Sequence, residues 1–429
     1  ALARAEAQEQ LAESGCFALA HLVHLHVQNQ ARLLAAGAGE VLAQVLETHR
    51  DSLEVIRECC IALHNVLLDS EECQEHVGRE TEVCKIILEA FIHMVTISRL
   101  EAQEDECKAR DIKYAMHYVW YALTMLSVLA ENRDRLHDAG MSDCFVVALG
   151  INEVLMNVWV FKCLVSFSFS VEYATSALKL ENICLKLPAA LSNSSSDRMS
   201  ASEGSLCVGI MAGMGPHIRD VLSSNNAFDV IIHILYKHEA NVTVAGCCVF
   251  ALANLCLSQE ANLKKMRSHG GCTLVARVLR LHSCSSAILA RWGCQLFASL
   301  ARETITSTSG VEGNMSSITS DSTVTTRRKS NSAASLTQRR KSEASFEHDA
   351  AGNKLTRSQS ITRRASFQDN FRDSFDVLIL AYNRHPTNLP VMEAVCRAAH
   401  AMAHFNKNIK GLQILGLGEV LLNCLMLCK

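Results

Sequence analysis

Apolar residues recur along this chain at spacings of one, three and four positions, the period of an amphipathic helix. The stretch FDVIIHIL (Phe228 to Leu235) has this pattern and predicts a helix with one buried side. The next run, VAGCCVFALANLCL (Val244 to Leu257), is apolar on almost every side. It predicts a longer helix enclosed by neighbours, and small residues such as Gly246 would let adjacent helices approach closely.

A polar segment with a fixed skeleton stands between such apolar runs. An Asn is followed by an apolar residue four positions later and by a Gly eight positions later. The skeleton occurs at Asn29 to Gly37, Asn132 to Gly140, Asn262 to Gly270 and Asn408 to Gly416. Because an Asn side chain can cap the first turn of a helix and a Gly can end it with a positive φ angle, each copy predicts a short helix.

Longer stretches repeat as well, with a step of about 44 residues. The stretch that starts at Phe375 repeats the one that starts at Phe228, and both continue into a His-x-x-Asn sequence. One copy is longer than the others because of a charged stretch, residues 98–111, which we interpret as a solvated insertion. A repeating unit of one short, one medium and one long helix accounts for these observations.

Composition narrows the class of protein further. Of the 429 residues, 49% are hydrophobic and only 4 are Pro, which favours packed helices. The net charge of -3 is too small to indicate nucleic acid or a membrane surface as a partner. The apolar run from Val154 to Val171 is interrupted by Asn157 and Lys162, which argues against a membrane span.

The cysteines indicate a reducing compartment. There are 19 of them, none in a Cys-x-x-Cys spacing, and many lie inside apolar runs. We therefore expect free, buried thiols and a cytoplasmic protein. The chain has no initiator Met and opens within a helical pattern, so we also expect it to be part of a longer protein.

Two long apolar runs carry an ALxNL-like sequence, FALANL (Phe250 to Leu255) and IALHNVL (Ile61 to Leu67). Together with the Asn-to-Gly skeleton, they resemble the armadillo repeat family. HEAT and tetratricopeptide repeats fit less well in helix number and period. The resemblance implies an all-α fold, a right-handed superhelical solenoid of three-helix armadillo-like repeats, which binds proteins in its concave groove.

The pattern also divides the chain. We expect armadillo-like repeats over residues 1–187 and 206–302, and a further repeat with the start of another over residues 375–429. A flexible loop, residues 188–205, and a basic Ser/Thr-rich insertion, residues 303–374, would separate them. The insertion has too few apolar residues to offset chain entropy, so we expect it to be disordered.

The resemblance further implies which residues face the groove. In armadillo proteins an Asn of the long helix binds the backbone of an extended peptide, often beside a Trp one turn earlier. This interpretation assigns partner contact to Asn65, Asn254, Trp120, Trp159, Thr124 and Ser299. The paired Trp and Asn ladder of nuclear-import adaptors is absent. Helix packing for the Asn residues, and core positions for the Trp residues, are the alternatives.

No pattern of catalytic or metal-binding residues stands out. The pairs His21/His24 and His400/His404 each share a helix face, but they lack an adjacent Glu and a third ligand. The sequence has no phosphate-binding Gly-rich loop after a strand and no nucleophile elbow. We therefore expect neither an enzyme nor a metal or other cofactor.

The insertion contains sequence patterns that kinases and nuclear-import receptors recognise. Four of its serines stand three residues after an Arg, namely Ser330, Ser342, Ser360 and Ser366. Basophilic kinases recognise that spacing, so we predict a basophilic protein kinase as a second partner. The basic clusters Arg327–Arg328 and Arg339–Lys341 also resemble a bipartite nuclear-import signal, which would place the protein in the nucleus.

Charge links the insertion to the repeats. Residues 303–374 contain 11 Lys or Arg and 8 Asp or Glu, a net +3, so the rest of the chain carries -3 minus +3, or -6. This asymmetry motivates the hypothesis that the insertion contacts the repeats and leaves them when phosphorylated.

The principal interpretation of the whole sequence is a protein-interaction scaffold. A targeting or autoregulatory region of a larger kinase or ubiquitin ligase is the alternative, and a nuclear-import adaptor is the third.

Overall fold

The computed structural model describes residues 2–80, 82–102, 104–168, 177–282, 285–316, 376–403 and 420, and no strand occurs in these ranges. The helices, in chain order, are α1 Leu2–Val23, α2 Val27–Ala35, α3 Ala38–Thr48, α4 Leu53–Leu67, α5 Glu71–Glu80, α6 Val83–Glu101, α7 Glu106–Leu126, α8 Ala130–Asp138, α9 Met141–Ile151, α10 Val154–Phe167, α11 Ala177–Asn193, α12 Arg198–Met214, α13 Pro216–Ser224, α14 Ala227–Lys237, α15 Val242–Leu255, α16 Glu260–Ser268, α17 Gly271–His282, α18 Ala287–Ser316, α19 376–384 and α20 Leu389–Ala403. They form two compact units, Ala1–Leu255 and Cys256–Lys429.

The first unit is built from helix triplets of the predicted kind. The triplets α2 to α4, α8 to α10 and α13 to α15 each contain a short, a medium and a long helix, of 9, 11 and 14 or 15 residues. Long third helices of successive triplets lie side by side, with α4 against α7 and α7 against α10. Because each third helix is enclosed by two others, it is apolar around most of its circumference.

The charged stretch 98–111 does not form a separate insertion. It lengthens the second and third helices of one triplet, so that α6 has 19 residues and α7 has 21. Within it, Ser98 and Ala109 are buried, and the Ser98 hydroxyl donates a hydrogen bond to the Ala109 carbonyl at 3.4 Å. The two helix extensions therefore pack against each other, while their charged residues face solvent.

The prediction of a flexible loop at residues 188–205 is wrong. Helix α11 continues to Asn193 with Pro188 inside it, and α12 begins at Arg198, so only four residues connect them. Asp197 caps α12 by accepting a hydrogen bond from the Ser200 amide at 2.7 Å. Several serines of this stretch are buried rather than solvated, and Ser205 is fully buried against α15. Helix α12 packs between α10 and α15 in the position of a third helix.

The Gly residues of the Asn-to-Gly skeleton behave as predicted. Gly37, Gly140 and Gly270 have φ angles of 78°, 98° and 70°. These angles lie in the left-handed region, where a Cβ causes strain, so Gly is required at the junction between the first and second helix. The fourth copy, Asn408 to Gly416, lies outside the described residues.

The Asn residues of the skeleton, in contrast, are not helix caps. Asn132 is the third residue of α8, whose cap is Leu129, and its side-chain amide donates to the Gln74 carbonyl of the preceding triplet at 2.8 Å. Asn29 likewise lies inside α2 and donates to the Leu22 carbonyl at 2.7 Å. In α2 and α8 the Asn therefore ties the short helix to the chain that precedes it.

The cysteines of the described residues support the core, as the sequence predicts. Sixteen are free thiols, and thirteen of these are buried. Burial raises the pKa of Cys84 to about 11 and that of Cys144 to about 12, so both thiols are protonated at neutral pH. They act as small apolar side chains.

The second unit contains the triplet α16 to α18, and its third helix packs against α20. Asn388 caps α20 by accepting from the Val391 amide at 3.2 Å, just as Asn241 caps α15 in the first unit. Helix α18 extends to Ser316, beyond the predicted start of the insertion at residue 303. Residues 317–375 lie outside the described residues. No helix in the described ranges is long and apolar enough to cross a membrane.

Candidate protein-interaction surface

Six long helices of the first unit present their solvent-facing residues on one surface. In spatial order they are α1, α4, α7, α10, α12 and α15, each packed against the next. The exposed or half-buried positions on each helix recur every three or four residues, as in Tyr114, Tyr118, Tyr121 and Met125 of α7. We call the solvent-facing residues of these six helices the third-helix surface.

Three ring side chains meet across the third-helix surface. The ring of His64 on α4 stacks on Tyr121 of α7 with centroids 3.3 Å apart and an angle of 10° between planes. Trp159 of α10 meets Tyr121 edge to face, with centroids 4.5 Å apart. Tyr121 and Trp159 are half-buried, whereas His64 is nearly covered. We call His64, Tyr121 and Trp159 the aromatic strip.

His64 is held neutral within the strip. The pKa of its imidazole is lowered to about 4, chiefly by burial and to a smaller extent by the nearby Lys162 ammonium. The hydrogen bond with the Tyr121 carbonyl acts in the opposite direction and is a weaker influence than burial. Since a carbonyl only accepts, the 3.1 Å distance from His64 Nδ1 to the Tyr121 oxygen requires the proton on Nδ1. His64 therefore fixes Tyr121 and contributes no positive charge at neutral pH.

The positive charge of this region comes from Lys162, one helical turn beyond Trp159. Its ammonium lies 4.7 Å from the centroid of the Trp159 ring, the geometry of a cation–π contact. Lys162 is half-buried, and it forms no ion pair with a carboxylate in the part of the chain that the structure describes. Its charge also acts on Glu203 of α12: burial raises the pKa of that carboxyl group, and Lys162 partly lowers it again.

More rings follow the same side of α7. Tyr114 and His117 meet at 4.7 Å, and His117 and Tyr118 at 3.7 Å. Next to them on α4, Arg57 is neutralised by Glu58 at 2.8 Å. This end of the surface is therefore rich in rings but carries a compensated charge.

The two Asn residues predicted to bind a partner are used for helix packing. The Asn65 side-chain amide donates to the Ala20 carbonyl at 3.0 Å, and that of Asn254 donates to the Gly209 carbonyl at 2.9 Å. Each bond joins one third helix to the preceding one. Asn65 is buried and Asn254 half-buried, and one N–H of each side-chain amide is already used within the unit.

The other predicted contact residues divide into core and surface. Trp120 is 0% exposed and packs its ring against Phe91 at 5.4 Å, so its assignment to partner binding is wrong. Thr124 is buried and donates to the carbonyls of Trp120 and Trp159. Ser299, in the second unit, is buried as well. Of the predicted set, Trp159 offers the largest accessible ring.

Sequence reasoning missed His64, Tyr121 and Lys162. A usable signal was present, because KYAMHYVWY (Lys113 to Tyr121) places four rings at spacings of three and four on one side of a helix. The four predicted phosphorylation sites and His404 lie outside the described residues. Within the described ranges, no group of three or more His, Cys, Asp or Glu residues could hold a metal ion.

Comparisons with known proteins identify the fold. No family model and no curated protein matches the sequence. The fold is similar to a solved structure from work on a conserved phosphorylation switch that controls the interaction between cadherin and β-catenin. The TM-score is 0.59 at 14% identity, over 91% of this chain and 61% of that one.

Two further similarities come from designed molecules. An engineered protein aligns over 91% of this chain and 94% of its own length, with 15% identity and a TM-score of 0.47. A designed armadillo repeat protein in complex with the peptide (KR)4 aligns over 60% of this chain and 98% of its own, with 12% identity and a TM-score of 0.42. With its helix triplets and its likeness to the β-catenin structure, the chain has an all-α, armadillo-like repeat fold.

Proposed function

We propose that this chain is a non-catalytic scaffold that binds a segment of another protein on its third-helix surface. The observation that carries the proposal is the aromatic strip, in which Tyr121 and Trp159 stand half-exposed on neighbouring helices. Tyr and Trp dominate the binding energy of many protein interfaces because they bury a large area at a small cost in side-chain entropy. A partner that covers these two rings would bury their remaining accessible surface.

Apolar side chains around the strip support the same proposal. Phe17 of α1, Tyr114 of α7, Leu155 of α10 and Met199 of α12 are each about half exposed. They lie on the same surface as the strip, where water contacts them in the free protein. Large exposed apolar areas on a folded protein commonly mark an interaction site, and stacked helical repeats generally use such extended surfaces for binding.

Proximity labelling in the native cell tests the proposal. The double variant Tyr121→Ala/Trp159→Ala removes the two half-buried rings, and Tyr236→Ala is the control, since Tyr236 is 67% exposed on α14 and outside the third-helix surface. We expect the double variant to lose a set of labelled neighbours that the wild type and the control both retain. Retention of every neighbour by the double variant would place binding elsewhere.

The proposal extends to regulation by the insertion. Phosphorylation of Ser330, Ser342, Ser360 and Ser366 by a basophilic kinase would add about -6 to -8 charges in total at about -1.5 to -2 each. The insertion would thereby change from a net +3 to a net negative segment, and its attraction to the acidic remainder of the chain would become repulsion. The arithmetic supports a switch in which the unmodified insertion contacts the acidic repeats, hinders the partner, and leaves the repeats when it is phosphorylated.

A set of four substitutions tests this switch. Changing the four serines to Ala preserves the positive charge, and changing them to Glu imitates part of the negative charge. We expect the Glu variant to retain more labelled neighbours than the Ala variant. Equal sets in the two variants would remove the regulatory role and leave the scaffold proposal intact.

The proposed location is the cytoplasm. The thirteen buried free thiols support it, because a reducing environment preserves such a core. Fluorescence microscopy of the tagged chain tests this assignment, and substitution of Arg327 and Arg328 tests the nuclear alternative. Nuclear accumulation that these substitutions abolish would favour the nucleus instead.

A further inference from the structure

The charges on the third-helix surface differ in how they are compensated. Arg57 is paired with Glu58 at 2.8 Å and lies 3.8 Å from Glu13. Lys162 lies over the face of Trp159 and has no ion pair within the described ranges, although the charge of Glu203 acts on it. The cation thus lies beside two half-buried rings, and its three N–H donors have no carboxylate partner within the described ranges.

From this difference we infer, on the basis of the proposed function, that the partner segment carries an acidic side chain next to an aromatic or large apolar one. The apolar side chain covers Tyr121 and Trp159, and the carboxylate accepts a hydrogen bond from Lys162. A basic segment is disfavoured at this position, because it would bring a like charge to the Lys162 ammonium. The cation–π contact restricts the Lys162 head group, so less side-chain freedom is lost when the carboxylate binds.

The surroundings of Lys162 favour a strong contact. The rings exclude water from one side of the ammonium, and electrostatic attraction is stronger there than between fully exposed charges. The charges of Lys162 and of Glu203 on the adjacent helix act on each other, but no ion pair joins them in the described ranges. A carboxylate of the partner therefore completes the site without having to break an existing salt bridge.

Two matched peptides test the inference. Both are fluorescein-labelled 12-residue peptides of the repeating pattern Phe-X-Ser, with X as Glu in one and Lys in the other, and binding to the full chain is measured by fluorescence anisotropy. We expect the acidic peptide to bind at least about fivefold more tightly than the basic one, as for a partly desolvated charged hydrogen bond. Lys162→Glu should reverse that preference.

The control is Lys237→Glu, which makes the same charge change at an exposed position of α14. We expect it to keep the wild-type preference, whereas Trp159→Ala should weaken the binding of both peptides. An unchanged preference in Lys162→Glu, or a wild type that binds the basic peptide as tightly as the acidic one, would overturn the inference. The scaffold proposal is tested separately. It fails if the Tyr121→Ala/Trp159→Ala variant retains every labelled neighbour.

Discussion

Replacing Gly209 by Ala tests the contact that aligns two third helices. A Cβ at Gly209 would lie 2.5 Å from Cδ1 of Phe250 and 3.1 Å from the Cα of Ala251. The Phe250 ring can turn away, but the backbone at Ala251 moves only with the whole helix. Helices α12 and α15 must therefore separate slightly, and the hydrogen bond from Asn254 to the Gly209 carbonyl must lengthen.

The size of the destabilisation by Gly209→Ala follows from comparison with a second helical glycine. Gly246, in α15, was predicted to allow close helix approach, yet a Cβ there would meet nothing within 4 Å. Gly246→Ala should therefore gain only the usual stabilisation of Ala over Gly in a helix, about 0.5–1 kcal/mol. Gly209→Ala has the same gain and, in addition, an overpacking cost of about 1–3 kcal/mol. The difference between the variants is thus about 1–3 kcal/mol.

Hydrogen exchange followed by mass spectrometry measures this difference where it arises. Peptides from α12 and α15 should exchange about 5- to 150-fold faster in Gly209→Ala than in Gly246→Ala, since about 1.4 kcal/mol corresponds to a factor of ten. Peptides from α4 and α7 should be unaffected in both. Equal protection of α12 and α15 in the two variants would refute the close-packing argument.

Three further predictions concern stability. The pKa of His64 is about 4 in the folded chain and about 6.5 in the unfolded chain. The contribution of neutral His64 to the free energy of unfolding is therefore complete above pH 6.5 and is lost as the pH falls from 6.5 to 4. His64→Gln should remove this pH dependence, about 3 kcal/mol, in urea titrations repeated at each pH. Asn241→Ala should destabilise the start of α15 by about 1 kcal/mol in thermal melts, whereas Asn241→Asp should not, because Asn241 Oδ1 caps the Val244 amide. Gly140→Ala, at a φ of 98°, should cost about 1 kcal/mol in the same melts, while Gly15→Ala, in open space within α1, should stabilise.

The aromatic strip illustrates what a sequence pattern can predict and what it cannot. The ring spacing along Lys113 to Tyr121 shows that these side chains share one side of a helix. It does not show whether that side is covered. His64, 57 residues away from Tyr121, meets it only because α4 and α7 pack side by side.

The sequence by itself determined the features that are local to a few turns of chain. Helix period, the triplet order and the Gly residues with positive φ all follow from backbone sterics and apolar spacing, which neighbouring residues set among themselves. The small apolar role of the cysteines follows in the same way from the runs that contain them. The stretch 188–205 is the local exception, since Ser205 is buried by contact with a helix about 40 residues further on.

Only the tertiary structure decided which polar groups are available to a partner. Asn65 and Asn254 have the identity and position of groove residues, but their amides bind the carbonyls of adjacent helices. Trp120 and Trp159 look alike in the sequence, yet one is enclosed and the other is half-exposed beside Lys162. The physical reason is that a side chain's free surface depends on what packs against it, and in this chain those neighbours lie about 40 to 60 positions away in sequence.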